Sequence, residues 1–278
     1  MALGHKVCWD PENKNFVTRE IGYNIIIEGF TDAVVDIIRD AHEHGARFIC
    51  VATEEPTDKG FNHGTSKEMT ERQWKFVEAA PYLDAILHLV PGQRVTDWYA
   101  QHAPSAYVEL GYAPTLMRQE TQREPAYDFG FYGTMSKRRE SLLKKLAKAS
   151  GKRNAVRVVA DFATQVDRDK AMQEAKVIVQ IRKFDEMGLV SSSRCNTALC
   201  LRRPVVAEPH ELAKPWDEVV KFARTDDDFI QLALMSRGMW RNIHFDQFTK
   251  FKEKFTPEVC IGDPLRRVGI TRQAARAA

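Results

Sequence analysis

Short apolar runs alternate with amphipathic segments along most of the chain. The runs are rich in β-branched and aromatic residues, which is typical of buried strands. The predicted strands cover residues 6–9, 23–27, 47–52, 84–90 and 106–110, and then 129–132, 156–160, 177–181, 205–207 and 218–222. The segments between them repeat apolar residues at helical spacing, and several open with a serine or threonine that can cap a helix. They predict helices at residues 31–44, 66–77, 95–101, 136–149, 168–175, 192–200, 225–235 and 245–255.

Strands that alternate with helices predict an α/β protein with mostly parallel sheets, covered by helices on both faces. A polar, irregular segment at residues 114–125 separates two such halves. We therefore expect a first domain at residues 1–117, a linker at 118–126, a second domain at 127–245, and a C-terminal helix with a basic tail at 246–278. Ligands of such folds bind beyond the carboxyl ends of the strands, so the residues after each strand are the first candidates for a site.

The composition narrows the class of protein. With 44% hydrophobic and 28% charged residues, the chain has the balance of a soluble globular protein. Its five cysteines are odd in number and include no Cys-x-x-Cys pair, and no apolar run is long enough to span a bilayer. The first residues lack the apolar core of a signal peptide, so we expect a cytoplasmic protein without a membrane span.

The net charge of the chain is weakly positive. A formal charge of +3 is too small to indicate a nucleic-acid partner. Part of this charge is concentrated in the C-terminal tail, at Arg266, Arg267, Arg272 and Arg276. A solvated tail is the simplest interpretation of these four arginines.

The turn after the first strand of the second half has the residues of an anion site. Gly133 permits close backbone approach, and the hydroxyls of Thr134 and Ser136 can donate to phosphate oxygens. Arg138 and Arg139 follow in the predicted helix, and either guanidinium can form a forked contact with a phosphate. An ordinary helix cap with solvated cations explains the same residues, and the turn has neither the Walker A nor the G-x-G-x-x-G pattern.

A second cluster of the same kind opens a later helix. Ser192 and Ser193 are first of all helix caps, but Arg194 in the first turn opposes the helix dipole, a penalty that a bound anion removes. Asn196 adds an amide that can bind a hydroxyl. Glu208 follows the next strand, where its carboxylate fits either ribose hydroxyls or the role of a plain loop acid. Two helix N-termini that favour anions, with an acid just beyond, predict a nucleotide-sugar site.

Two acids of the first half follow strands at the ends where α/β active sites form. Glu28 precedes Gly29, and Glu55 comes after the next strand. Either carboxylate can be the general base that deprotonates an acceptor hydroxyl. A helix cap or a surface acid is the alternative interpretation for both residues.

The sequence predicts no metal site. Asp226 and Asp228 have a spacing that can chelate a metal, but they directly follow a threonine that can cap a helix, where acids offset the helix dipole. His63, His102 and His210 are isolated, with no metal-ligand spacing between them.

The second half resembles the nucleotide-binding domain of GT-B glycosyltransferases, especially the bacterial spore-protein-like and group 1 branches. The matching pieces occur in the family's order, at residues 133–139, 167–169, 175–181, 194–199 and 203–208, within a region of about 127–240. The sequence departs from the pattern in two places. Asn196 stands where many relatives carry a glutamate, and Arg202 with Arg203 replaces the usual glycine before the proline.

The resemblance implies a GT-B fold, in which two Rossmann-like domains face a cleft. It also implies transfer of a sugar from a nucleoside diphosphate sugar, with UDP favoured and GDP next, to an unknown acceptor. Charge on the leaving diphosphate would be neutralised by helix N-termini and arginines rather than by a metal, and no cofactor beyond the donor substrate is expected. The first half is short for an acceptor domain. Its acceptor groove is therefore expected to be either reduced or completed by the second subunit of a homodimer.

Two other functions stay open on the sequence alone. A non-catalytic protein that binds nucleotide sugars would keep the same pocket, and Asn196 in place of the usual acid favours it. A DNA-modifying glycosyltransferase is supported only by the basic tail. Salt-dependent binding to DNA would be its signature.

Overall fold

The computed structural model describes residues 17, 22–64, 66–118, 123–160, 164–183, 189–210 and 213–271. The chain divides into two compact units, one formed by Met1–Glu109 with Pro257–Ala278 and the other by Leu110–Thr256. Each unit is built on one all-parallel sheet, which confirms the predicted α/β class. The strand predicted at residues 6–9 lies outside the described residues, as do Arg272 and Arg276 of the basic tail.

The first unit has a four-stranded sheet. Its strands lie in chain order and are β1 (Asn24–Ile27), β2 (Phe48–Ala52), β3 (Ala85–His88) and β4 (Ser105–Tyr107). The helices between them are α1 (Asp32–Glu43), α2 (Lys67–Ala79) and α3 (Gln93–Ala100), with 3-10 turns at Phe61–Gly64 and Ala80–Tyr82. Helix α1 illustrates why the pattern folds this way, because Thr31 caps it and its apolar stripe buries Val35 and Ile38.

The second unit has a five-stranded sheet. Its strands are β5 (Tyr127–Tyr132), β6 (Val156–Val159), β7 (Ala175–Gln180), β8 (Val205–Ala207) and β9 (Lys221–Phe222), in the spatial order β6-β5-β7-β8-β9. The helices are α4 (Lys137–Ser150), α5 (Gln165–Gln173), α6 (Ser192–Cys200), α7 (Asp226–Gly238) and α8 (Trp240–Lys254), with 3-10 turns at Pro114–Leu116 and Trp216–Glu218. The predicted linker, residues 118–126, falls within this unit.

The core of the second unit determines where its strands end. Phe129 and Phe131 of β5 and Val177 of β7 are fully buried, and Leu142 and Leu146 of α4 pack against them. Strands β5, β7 and β8 are neighbours and run in parallel. The residues that follow their carboxyl ends therefore meet at one edge of the sheet.

Three elements of the second unit differ from the sequence prediction. The helix predicted at 168–175 begins and ends earlier, at Gln165–Gln173. The strand predicted at 218–222 is reduced to Lys221–Phe222, because the chain before it forms a 3-10 turn at Trp216–Glu218. The helix predicted at 245–255 begins earlier, at Trp240. Its buried stripe includes Trp240, and burial of that large side chain favours the extra turn.

After α8 the chain returns to the first unit. A π-helical turn at Glu258–Gly262 leads into a last short helix, α9 (Asp263–Arg267). The backbone N–H of Glu109, just after β4, donates to the carbonyl oxygen of Cys260 at 3.3 Å. Val268 is buried in the same apolar cluster as Ala106 and Val108. The first unit is thus completed by residues that follow the whole of the second unit in sequence.

Arg202 adopts a backbone conformation that favours glycine. It follows α6 with a φ of 62°, in the left-handed region that costs a residue with a side chain about 1–2 kcal/mol. This is the place where the sequence departs from the glycine of the GT-B pattern. We expect Arg202→Gly to have a free energy of unfolding about 1 kcal/mol greater than that of Arg202→Ala, because both lose the same contacts and only alanine keeps a Cβ. Chemical denaturation of the two variants measures the difference, and equal stability would contradict this explanation.

Candidate functional site

In the turn after β5, the guanidinium of Arg194 lies close to the backbone of Gly133. Gly133 has a φ of 129°, and a Cβ built on it would lie only 2.9 Å from Nη2 of Arg194. Ser136 caps α4 by accepting a hydrogen bond from the backbone N–H of Arg139 at 3.3 Å, as predicted. A side chain at Gly133 would therefore displace a guanidinium, and the positive φ would strain the backbone of any residue other than glycine.

Arg139 and Arg194 form a pair of buried guanidinium groups, which we call the arginine pair. Arg139 donates to the carbonyl oxygens of Ile181 and Thr134, at 3.0 and 2.6 Å. The two guanidinium carbons lie 5.2 and 5.0 Å from the centre of the Phe131 ring. Arg194 also donates to the carbonyl oxygen of Tyr132 at 3.1 Å and to the side-chain oxygen of Gln180.

The arginine pair carries positive charge that is not matched by a direct ion pair in the described residues, although the charge of Glu208 opposes the lowering of the Arg139 pKa. Within the described parts of the chain, neither guanidinium forms an ion pair with a carboxylate. Burial lowers the pKa of Arg139 to about 10, and the charge of Arg194 adds to this effect. Burial also lowers the pKa of Arg194. Two adjacent, desolvated cations of this kind are stabilised by a bound anion.

Arg138 belongs to a separate ion-pair network around Glu208. Its guanidinium donates to the Glu208 carboxylate and to Oδ1 of Asp226, the second contact at 2.9 Å. The carboxylate of Glu208 is fully buried and also accepts a hydrogen bond from the backbone N–H of Arg182. Burial raises the pKa of Glu208, and the hydrogen bonds from Arg138 and Arg182 oppose that rise. In this structure the Glu208 oxygens are used to hold arginines in place.

Ser192, Ser193 and Asn196 all belong to α6 but have different partners. Among the described residues no side chain caps α6. Ser192 accepts a hydrogen bond from the indole N–H of Trp216 at 3.0 Å. The carbonyl oxygen of Ser193 accepts from the Tyr132 hydroxyl at 3.3 Å. Asn196 is buried, and its amide donates to the backbone carbonyl oxygens of residues 110 and 111, at 2.9 and 3.0 Å. These bonds anchor α6 to the segment before β5.

Gln180, Arg182 and His210 join this edge of the sheet, and none of them was selected from the sequence. Gln180 is the last residue of β7, Arg182 follows it, and His210 comes after β8. Their position after a strand was the available signal, since the same rule selected Glu208. His210 was considered only as a metal ligand and was set aside because its spacing to other histidines does not suit one. Spacing along the chain does not reveal hydrogen bonds.

Glu28 in the first unit is a buried carboxyl group at the end of β1. Its Oε2 accepts hydrogen bonds from the backbone N–H groups of Thr53 and Glu54, at 2.7 and 3.0 Å. Its Oε1 is buried and has no hydrogen-bond partner in the described structure. Burial raises the pKa of Glu28 to about 7, against the lowering effect of the Thr53 hydrogen bond. A carboxyl group that titrates near pH 7 and keeps one oxygen unpaired is suited to proton transfer.

Glu55 has a different environment from Glu28. Its carboxylate forms an ion pair with Arg94, and Nε2 of His63 lies 3.5 Å from its other oxygen. Asn62, which precedes His63, is in the left-handed region and accepts a hydrogen bond from the backbone N–H of Glu55 at 3.0 Å. Glu55 thus has a cation partner that Glu28 lacks, and of the two acids Glu28 is the stronger candidate for a base.

The described residues contain no group of three His, Cys, Asp or Glu side chains that could hold a metal ion. Thr225 caps α7 by accepting from the backbone N–H of Asp228 at 3.1 Å, and Asp226 pairs with Arg138. Both acids therefore lie in the first turn of a helix, as the sequence predicted. No helix in the described part of the chain is long and apolar enough to cross a membrane.

No protein-family model matches the chain, and no curated protein matches its sequence. Solved structures are nevertheless similar to it. TarM has a TM-score of 0.55 at 12% identity, over 88% of this chain and 54% of TarM. A UDP-forming alpha,alpha-trehalose-phosphate synthase from Burkholderia xenovorans has a TM-score of 0.56 at 9% identity, over 91% of this chain and 74% of the synthase. A mutant of S. aureus TarM in complex with Fondaparinux, alpha-GlcNAc-glycerol and UDP has a TM-score of 0.52 at 12% identity, over 88% of this chain and 55% of that one.

The chain spans about half the length of TarM. The likeness at such low identity concerns the fold, and it agrees with the two all-parallel sheets and their covering helices. The chain has the Rossmann-like α/β architecture of the GT-B glycosyltransferases, the fold that its second half resembles in sequence.

Proposed function

We propose that the chain is a glycosyltransferase that moves a sugar from a nucleoside diphosphate sugar to an acceptor hydroxyl. The observation that carries this proposal is the arginine pair. Arg139 and Arg194 are buried at the strand ends of the second unit, and neither forms an ion pair with a carboxylate of the described residues. UDP is the favoured nucleotide and GDP the next choice. One structurally similar protein is a UDP-forming synthase, and another was solved in complex with UDP, which supports that order.

The arginine pair acts on the leaving group in this proposal. When the bond from the anomeric carbon to the diphosphate oxygen breaks, negative charge develops on the departing diphosphate. Guanidinium groups that are already oriented stabilise this charge without reorganisation. The N-terminus of α6 supplies backbone N–H groups to the same anion, and Gly133 leaves room for the guanidinium of Arg194. Thr134, Ser136, Ser192 and Ser193 stay candidate phosphate contacts.

Glu28 is the proposed base of the first unit. Its unpaired oxygen takes the proton of the acceptor hydroxyl, and the hydroxyl oxygen attacks the anomeric carbon as the diphosphate leaves. This step inverts the configuration at that carbon. A binding protein without activity would need the arginine pair as much as an enzyme does. The raised pKa and unpaired oxygen of Glu28 favour the enzyme over that alternative.

A thermal-shift screen tests the donor site and its independence from metal. UDP at about a hundred times its dissociation constant is expected to stabilise the protein by roughly 2–3 kcal/mol. The shift and the rate of transfer are expected to survive EDTA, because guanidinium groups would neutralise the diphosphate. GDP, TDP and CMP serve as matched comparisons. The absence of a shift with every nucleotide would refute the donor site, and a loss with EDTA that manganese restores would refute metal independence.

A further inference from the structure

His210 has a fixed hydrogen-bonding state. Its Nδ1 lies 2.7 Å from the backbone carbonyl oxygen of Glu208. A carbonyl oxygen only accepts hydrogen bonds, so Nδ1 must carry the hydrogen of this contact. The ring also packs edge-on against Phe222, with 5.7 Å between the ring centres. Both contacts hold the imidazole in one orientation.

The second ring nitrogen of His210, Nε2, has no hydrogen-bond partner among the residues that the structure describes. Nε2 is buried, and in the structure as described no group donates to it or accepts from it. Burial and, to a lesser extent, the charges of three arginines lower the pKa of His210 to about 4, against the raising effect of the hydrogen bond to Glu208. The three are Arg182, Arg194 and Arg138. The imidazole is therefore neutral at physiological pH. With the hydrogen on Nδ1, a neutral imidazole presents Nε2 as an acceptor.

Nε2 of His210 is a hydrogen-bond acceptor among side chains that mostly donate, at the strand ends of the second unit. Two neighbouring side-chain acceptors at the strand ends are occupied, Glu208 by Arg138 and Arg182, and Gln180 by Arg194. The arginines around His210 can only donate. A buried polar atom without a partner costs about 1–3 kcal/mol, and a ligand hydroxyl that donates to Nε2 would remove this cost.

We propose that Nε2 of His210 accepts a hydrogen bond from a hydroxyl group of the bound nucleoside diphosphate sugar. This inference rests on the proposed donor site. It gives to His210 the contact with a donor hydroxyl for which the sequence had suggested Glu208. The arginine pair would bind the anionic part of the donor, while His210 distinguishes donors by a hydroxyl on the ribose or on the sugar. A phosphate oxygen has no hydrogen to offer Nε2 at neutral pH, so the histidine does not bind the diphosphate itself.

Calorimetry with His210→Phe and His210→Gln tests the proposal. Phenylalanine keeps a flat ring but removes the acceptor, and glutamine returns a side-chain oxygen. His210→Phe is expected to weaken binding of UDP-glucose by about 2- to 10-fold, the scale of one neutral hydrogen bond, and His210→Gln to recover part of that loss. Circular dichroism of each variant confirms that it is folded.

The choice of ligand locates the hydroxyl. If it belongs to the ribose, UDP itself loses affinity for His210→Phe, and 2′-deoxy-UDP or 3′-deoxy-UDP binds the wild-type and variant proteins equally. If it belongs to the sugar, only UDP-glucose shows the loss. Equal affinity of wild type and His210→Phe for both UDP and UDP-glucose would overturn the role of His210 while leaving the donor site intact. Failure of the wild-type protein to bind either ligand would overturn both.

Discussion

Glu28→Gln is expected to keep its affinity for the donor while the rate of sugar transfer falls by about 10²–10⁴. Glutamine has the same shape and can still accept from the backbone N–H groups of Thr53 and Glu54, but it cannot take a proton. The wild-type rate should rise with pH through about 7, because the base must be ionised. Transfer rates across pH measure both effects, and that step in the pH profile should be absent in the variant.

The same substitution has a stability signature. The pKa of Glu28 in the folded protein, about 7, lies above its ordinary value of 4.5. Its contribution to stability is therefore fully present below pH 4.5 and is lost as the pH rises through 7. At pH 8 the Glu28→Gln variant should be more stable than the wild-type protein, by up to about 3 kcal/mol. A variant that is both more stable and inactive separates catalysis from folding.

Glu55→Gln and the stereochemistry of the product complete this test. If Glu55→Gln loses transfer and Glu28→Gln does not, the base is Glu55, despite its ion pair with Arg94. If both variants transfer at the wild-type rate, the leaving phosphate can act as the base with retention of configuration. The anomeric coupling in the proton NMR spectrum of the product distinguishes retention from inversion.

Arg194→Ala is expected to weaken binding of UDP by about 10- to 150-fold, or 1.5–3 kcal/mol, the scale of hydrogen bonds to a charged group. Arg194 is 5% exposed and its guanidinium lies beside that of Arg139, so its loss removes half of the charge pair. Binding of uridine, which lacks the diphosphate, should change little. Calorimetry with UDP and with uridine measures the two effects.

Arg157→Ala is the matched control for Arg194→Ala. Arg157 lies on β6 of the same unit, and its guanidinium is solvent-exposed and pairs with Glu174 at 3.7 Å. Its removal changes the net charge by the same amount without touching the arginine pair. Equal losses of UDP affinity in both variants would assign the effect to overall charge and would remove Arg194 from the site.

The sequence predicted the parts of the fold that depend on local pattern. Thr31, Ser66, Ser136 and Thr225 each cap the helix that follows, as expected, because capping needs only a hydroxyl three residues before a backbone N–H. The strand ends were also predictable, since a β-branched run stops where polar or glycine residues begin. These two rules were sufficient to predict two parallel α/β halves.

The pairing of charged side chains was not predictable in the same way. Arg138 and Glu208 are 70 residues apart and meet because β5 and β8 flank β7 in the sheet. The amide of Asn196 donates to two backbone carbonyl oxygens that only tertiary packing brings within reach, and its predicted contact with a ligand stays a prediction. The raised pKa of Glu28 likewise depends on burial, which a single sequence does not report.

The return of the chain to the first unit also constrains how the protein is made on the ribosome. The second unit is one continuous stretch, so it can fold as soon as residue 256 has emerged. The apolar cluster that includes Ala106 and Val108 lacks Val268 until later in synthesis. Domains of nascent chains usually fold from the N-terminus onward. Here the unit that is begun first is finished last, and its β4 edge stays uncovered while the second unit is translated.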